Sequence, residues 1–261
     1  MIQNEKQLAI YYTESNPTLT MNDSVSGRFY TMSFFDGVLT IDATQTLSAN
    51  DRENANAYGG RTIGTVDKLT NESYDDWQFI KANTEIVVMR GNITDIAAGV
   101  FSHFEKLHTI VLPNSLEEIG EDNFLWCPNL RYIHLSKYVK SVDGLTSKNN
   151  LLYIDVAEEN TEFCSVNGYL MSKDQRELVA APGGLEIVEI PDGCERIGEE
   201  ALFNTHRKVI IPASVNEIDI CNFYSGVLEE IVLGDYERQY PLVESCFKLQ
   251  NTEAFQSINI H

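Results

Sequence analysis

Basic charge is scarce in this chain. Nineteen lysines and arginines stand against 39 acids in 261 residues, a formal net charge of −20. Nucleic-acid binding needs a basic patch to displace counterions from phosphates, so the balance argues against that class of partner. It argues equally against an anionic membrane surface. No run approaches the roughly 18 apolar residues of a membrane span, so no membrane insertion is expected. The start, Met1-Ile2-Gln3-Asn4-Glu5-Lys6-Gln7, lacks the basic residues and apolar run of a secretory signal. Cysteine is sparse: Cys127, Cys164, Cys194, Cys221 and Cys246 are odd in number and show no C-x-x-C pair. Such residues in apolar slots are expected to be small buried hydrophobes. Catalytic signatures are missing as well. None of His103, His108, His134, His206 and His261 sits in H-E-x-x-H, and there is neither a glycine-rich lysine loop nor a G-x-S-x-G elbow. The expectation is a non-enzyme with no cofactor and no metal.

What the chain does have is one line spelled repeatedly. Its clearest form is Leu107-x-x-Ile110-x-Leu112-Pro113-x-x-Leu116-x-x-Ile119-Gly120-x-x-x-Phe124-x-x-Cys127, and a near copy runs from Leu185 to Leu202. The leading slot falls at Thr84, Leu107, Leu130, Leu151, Leu185, His206 and Leu228, in steps of 21 to 23 residues except for one of 34 after Leu151. A unit this short cannot bury its own apolar side chains, so neighbours must do it by stacking. The fold expected is an α/β solenoid.

Each slot has a structural meaning. Val87, Ile110, Ile133, Ile154, Val188, Val209 and Ile231 occur three residues after the lead, followed at i+2 by Met89, Leu112, Leu135, Val156, Ile190, Ile211 and Leu233. This i, i+2 spacing predicts a short strand with one face buried. Pro113, Pro191 and Pro212 end the strands, since proline cannot donate to a ladder. A second apolar pair follows, such as Leu116 and Ile119, and then an anchor: Phe101, Phe124, Leu145, Leu202 or Phe223. That last part reads as a single helical turn, with Glu121-Asp122 and Glu199-Glu200 at its positive end.

The pattern L-x-x-I-x-I-P-x-x-V-x-x-I-G-x-x-A-F-x-x-C resembles the BspA-like leucine-rich repeat family of bacterial surface proteins. Three further stretches resemble it too: Asp36-Gly37-Val38-Leu39-Thr40-Ile41, Trp77 followed by Ile86-Val87-Val88, and the hairpin-like Val166-Asn167-Gly168-Tyr169-Leu170-Met171-Ser172-Lys173-Asp174 running on through Leu178 to Pro182. The likeness spans about residues 28–261. It implies a right-handed leucine-rich-repeat coil with short parallel strands on one face and short helical turns on the other. It also implies a β-rich N-terminal cap and a hairpin insertion near 160–182. The division expected is 1–83 as N-terminal arm and cap, and 84–261 as about six coils plus a terminal strand. Within the cap, 1–27 reads as an irregular arm or an added strand, 28–47 as a hairpin about Asp36-Gly37, and 48–76 as a long loop containing Gly59-Gly60. Residues 234–257 fit the repeat loosely, and the strand Phe255-x-x-Ile258-x-Ile260 has no polar cap after it. The array is therefore expected to be truncated there, or to meet a partner or a second copy through its C-terminal coil.

Alternation along a strand sends the residues between the inward slots outward. Stacking then yields two outward columns. One is Ile86, Thr109, Tyr132, Tyr153, Ile187, Lys208 and Glu230; the other is Val88, Val111, His134, Asp155, Glu189, Ile210 and Val232. Solenoids present such surfaces to partners. The candidate partner-binding face is Tyr132, His134, Tyr153 and Asp155, with the aliphatic Val111 and Ile210 toward either end. Exposed aromatics are typical anchors, although tyrosine also favours strands for its own sake. His134 beside Asp155 is half of a catalytic triad without a serine or cysteine in an adjacent slot.

The functional expectation is a non-enzymatic protein-binding module, adhesin-like, contacting a host or bacterial protein. It would be cell-surface or extracellular if a leader was removed and cytoplasmic if the chain is complete as written. Two alternatives stand beside it. One is an intracellular acidic scaffold or inhibitor of a basic partner, resting on the charge. The other is a carbohydrate-binding protein, resting on the tyrosine pair alone.

Overall fold

A computed structural model describes residues 20–22, 31–43, 62–63, 78–146, 149–202, 206–219, 221–223, 227–250 and 258–261. Most of the expected arm, the loop over 48–76 and Trp77 lie outside the described residues. The first half runs β1 (Thr20–Asn22), β2 (Thr31–Phe35), β3 (Val38–Ala43), β4 (Thr62–Ile63), helix α1 over 78–83, β5 (Ile86–Gly91), β6 (Asp95–Ile96), β7 (Thr109–Val111), β8 (Glu118–Ile119), β9 (Tyr132–Leu135), helix α2 (Asp143–Thr146) and β10 (Tyr153–Val156). The second half runs β11 (Phe163–Val166), β12 (Tyr169–Ser172), β13 (Glu177–Ala180), β14 (Ile187–Glu189), β15 (Arg196–Ile197), β16 (Lys208–Ile211), β17 (Glu217–Ile218), β18 (Glu230–Leu233), helix α3 (Tyr236–Gln250) and β19 (Asn259–Ile260).

The chain is a solenoid of about six stacked turns. Its first ladder is parallel and in the register the repeat slots demand. Val87 pairs with Ile110, Ile133 with Ile154, and Val188 with Val209 and then Ile231. These seven inward residues are buried, and most have no exposure at all. Each such side chain contributes roughly 1.5–3 kcal/mol through the apolar surface it removes from water. At the N-terminal end β1, β2 and β3 pair antiparallel, and β3 then pairs parallel with β5. The β2–β3 turn is Asp36-Gly37, at φ of 46° and 80°, which suits a tight two-residue hairpin.

Beyond each proline slot the structure departs from the expectation. The second member of the later apolar pair lies in a strand of its own, two residues long: Asp95–Ile96, Glu118–Ile119, Arg196–Ile197 and Glu217–Ile218. β4, β6 and β8 make one parallel ladder, and β13, β15 and β17 another. Among the described residues the helical turn expected next is in most coils an open turn, and only the coil led by Leu130 has a short helix there, α2. The reason lies in one slot. Gly99, Asp122, Glu200 and Cys221 occupy equivalent positions and all have left-handed φ, between 55° and 69°. A residue in that conformation interrupts a right-handed helical run.

Buried asparagines brace those turns. Asn123 Nδ2 donates to the carbonyls of Ala97 (2.9 Å) and Gly120 (2.7 Å), while its Oδ1 accepts from the Phe101 N–H (3.2 Å). Asn222 repeats the arrangement with Gly198, Asp219 and Leu202. Residues 236–250, in the stretch that fits the repeat loosely, form the long helix α3. It fills the last turn with Val243, Cys246 and Phe247, and the Phe247 ring stacks on Phe223 at 5.7 Å. Gln239, fully buried, donates to the carbonyls of Pro212 and Val215. All five cysteines are free thiols, and burial pushes Cys127 and Cys246 up to about 11.

Candidate functional site

The strand-lined face is not continuous. β9 and β10 pair with each other, and β14, β16, β18 and β19 form a separate parallel sheet. Between them sits the insertion, in which β11 and β12 are an antiparallel hairpin and β12 pairs antiparallel with β13. The hairpin takes over the hydrogen bonds that the interrupted ladder would otherwise lack. The Ile154 N–H donates to the Gly168 carbonyl at 2.9 Å, and Ser165 Oγ donates to the Ile154 carbonyl at 2.6 Å. On the far side the Glu189 N–H donates to Tyr169 Oη at 3.0 Å. The expected unbroken columns are therefore interrupted at the insertion, and among the described residues β9 is not ladder-paired with β7 either. The 34-residue step marks the insertion in the sequence, but not that it lies across the first ladder.

The half before the insertion brings four of the candidate residues together. Register places Tyr153 against Tyr132 and Asp155 against His134. The tyrosine rings stack, with centroids 6.1 Å apart and planes 24° from parallel. Asp155 Oδ2 accepts from Tyr132 Oη at 2.8 Å and lies 2.7 Å from His134 Nδ1. The carboxylate so fixes the imidazole that Nδ1 carries the proton, which makes Nε2 the acceptor in the neutral ring. His134 and Asp155 side chains are 40% and 31% exposed, so the group is reachable.

Gly168, which the column argument did not include, closes the other side of Tyr153. A Cβ built on it would stand 2.6 Å from the ring, and its φ is +89°. One face of Tyr153 therefore lies against Tyr132 and the other against the Gly168 backbone. Tyr153 presents its edge and hydroxyl rather than an open face.

Val111 and Ile210 do not join this group. Val111 is half-buried and packs against a small cluster of Val38, Ile86 and Val88. Ile86 and Val88 are only 5% and 3% exposed, so the aliphatic patch that the first column suggested is covered at this end. Ile210, also half-buried, lies beyond the insertion on β16. Near it, Glu186, Ile187, Lys208, Glu230 and Asn259 help line a shallow depression of about 310 Å³. Its charges satisfy one another: Lys208 with Glu230 at 2.9 Å, Arg207 with Glu229 at 2.8 Å, and His261 with Glu230 at 3.2 Å. Exposed pairs of this kind contribute little to stability. Among the described residues no group of three His, Cys, Asp or Glu side chains could hold a metal ion. No helix among them is long and apolar enough to cross a membrane.

The repeat is also recognised by comparison. The pattern described as the BspA type leucine rich repeat region matches residues 68–165 and 182–260, in six copies. The chain belongs to the BspA-type leucine-rich repeat family. The gap between the two matched stretches falls on the insertion that splits the face. This repeat family is typically non-catalytic. No curated protein matches the chain. Among solved structures, it is similar to a leucine-rich repeat protein from Eubacterium ventriosum ATCC 27560, at 17% identity and a TM-score of 0.43, over 82% of this chain and 72% of that one. It is similar to the pneumococcal vaccine antigen PcpA at 13% identity and a TM-score of 0.39, over 85% and 83%. A leucine rich cell surface protein from Faecalibacterium prausnitzii A2-165 shows 15% identity and a TM-score of 0.39, over 83% and 76%. Identities this low say nothing of a shared ligand.

Proposed function

We propose that this BspA-type repeat protein is a non-enzymatic, adhesin-like binding module of the bacterial cell surface, and that its partner is a protein of host or bacterial origin. In this reading the coil is right-handed, residues 1–83 cap it, and the contact is made by Tyr132, Tyr153, His134 and Asp155. One observation carries the assignment. Tyr132, stacked on Tyr153, shares the Asp155 carboxylate with a fixed His134 on an accessible sheet face. The group is preorganised, so little side-chain freedom is lost when a partner docks. With Nδ1 held by Asp155, His134 offers Nε2 to a hydrogen-bond donor, such as a backbone N–H or a side-chain amide.

The same geometry weighs against a sugar platform on Tyr153. Carbohydrate stacking needs an open ring face, and both faces of Tyr153 are occupied, by Tyr132 and Gly168. The test is a displayed library of folded domains and peptides selected on the wild-type chain. Binders are then measured on the Tyr132→Ala/Tyr153→Ala double variant, with circular dichroism to verify its fold. Loss of at least tenfold in affinity supports the site. Equal affinity for both proteins, or hits confined to a glycan array, overturns it.

A further inference from the structure

A second aromatic feature lies in the turn that precedes β9. Trp126 is 64% exposed, the highest value among the large apolar side chains of the described residues. Its ring stands 6.3 Å from that of His103, with planes 31° apart. The two occupy the same repeat slot one coil apart, and the His103 N–H donates to the Leu125 carbonyl at 2.8 Å. Both have left-handed backbones, at φ of 63° for His103 and 58° for Trp126. Bulky residues seldom adopt that conformation, and strain of this kind concentrates at functional positions. Packing does not explain a strained tryptophan that is mostly in water.

We propose that the open face of Trp126, backed by His103, receives a lysine or arginine side chain of a protein partner.

The chemistry around the ring selects a cation. An indole face carries negative potential and attracts ammonium or guanidinium groups. Two other aromatic rings already have such a partner within the chain: Lys137 Nζ lies 4.8 Å from the Tyr138 centroid and Lys81 Nζ 5.8 Å from that of Phe104. Among the described residues, no lysine or arginine lies over Trp126. The flanking charge has the complementary sign. Asp122 opens the same turn, its carbonyl accepting from the Leu125 N–H at 3.3 Å; Glu121, exposed, precedes it, and Glu105, also exposed, follows His103 by two residues. Arg131, the nearest base in sequence, donates from Nη1 to the Asn150 carbonyl at 2.9 Å, and Lys106, three residues after His103, is directed to Asn83 Oδ1 at 3.0 Å. The negative field at this turn reaches further along the rod. Glu200 is raised above the usual carboxylate range by burial first, and then by Glu199, Glu121 and Asp122. A net charge of −20 draws a basic segment toward the surface, and Trp126 gives it a place to seat one side chain.

The chain has two tryptophans, so the Trp77→Phe variant makes fluorescence report Trp126 alone. Hexa-arginine is the titrant, with hexa-glutamine as the neutral control, at 0.15 M salt. The expected result is saturable quenching by hexa-arginine and none by hexa-glutamine. Anisotropy with labelled hexa-arginine should then show at least fivefold weaker binding to Trp126→Ala, about twofold weaker binding to Glu121→Gln, and no change with Tyr132→Ala. Trp126→Gly should melt at the same temperature as the wild type or higher, because it relieves the backbone without opening a cavity. Unchanged affinity in Trp126→Ala means that the peptide is held by overall charge alone, and overturns the proposal. A clear drop in melting temperature for Trp126→Gly also overturns it, since the ring would then serve folding.

Discussion

Tyr169 Oη accepts the N–H of Glu189 at 3.0 Å, across the gap where the first ladder is broken. The tyrosine is nearly buried, so its hydroxyl stands in for a missing strand carbonyl. Tyr169→Phe keeps the ring and removes the acceptor. We expect a loss of about 1–2 kcal/mol in urea unfolding, with unchanged far-ultraviolet circular dichroism.

Gly168→Ala tests the packing of the insertion on the candidate face. The new Cβ would stand 2.6 Å from the Tyr153 ring, at a backbone φ of +89°. Strain and displacement together should cost about 1–3 kcal/mol. The near-ultraviolet tyrosine signal should change as the Tyr132–Tyr153 stack opens. An unaltered spectrum would mean that Gly168 does not hold the ring.

Ile133 is fully buried and pairs with Ile154 in the centre of the rod. Ile133→Asp buries a charge with no partner, at a cost above roughly 4 kcal/mol. The variant should be unfolded or lose cooperativity in calorimetry. A melting temperature equal to wild type would refute the register.

Asn123→Ala removes three hydrogen bonds at a fully buried position and leaves two carbonyls and an N–H without partners. A loss of about 2–4 kcal/mol is expected in denaturant unfolding. Asn129→Ala is the control. Asn129 donates to the Glu105 carbonyl from an exposed position, and its loss should stay within about 0.5 kcal/mol.

His206 takes the place of a leading leucine. It is 2% exposed, and Nδ1 lies 2.7 Å from the Leu185 carbonyl, while Nε2 is buried without a hydrogen-bond partner among the described residues. Burial lowers its pKa below 6.5, and the bond to Leu185 only partly offsets this. The unfolded chain therefore binds a proton more readily than the folded one. Stability is fully present above pH 6.5 and falls as the pH drops below that value toward the folded pKa. His206→Leu should flatten the dependence of the urea midpoint between pH 7.5 and 5.5. A wild type with a flat profile over that range would contradict the burial account.

The sequence by itself determined the rod. Leu107, Ile110, Leu116, Ile119 and Phe124 recur at a fixed spacing, and a period that short leaves stacking as the only way to bury them. Alternation within β9 and β10 was enough to set Tyr132 beside Tyr153 and His134 beside Asp155, because parallel pairing of equal slots leaves no other register. Tertiary structure decided what lies between and over those slots. Left-handed residues at Asp122, Glu200 and Cys221 replaced helical turns with open ones, a backbone choice that side-chain periodicity does not encode. The Phe163–Ser172 hairpin settled on the edge of β10, and the hydrogen bonds of Ile154 and Glu189 passed to it. That contact splits the outward columns and covers Tyr153. A repeat reports which residues share a slot; only packing fixes which neighbour reaches a strand edge first.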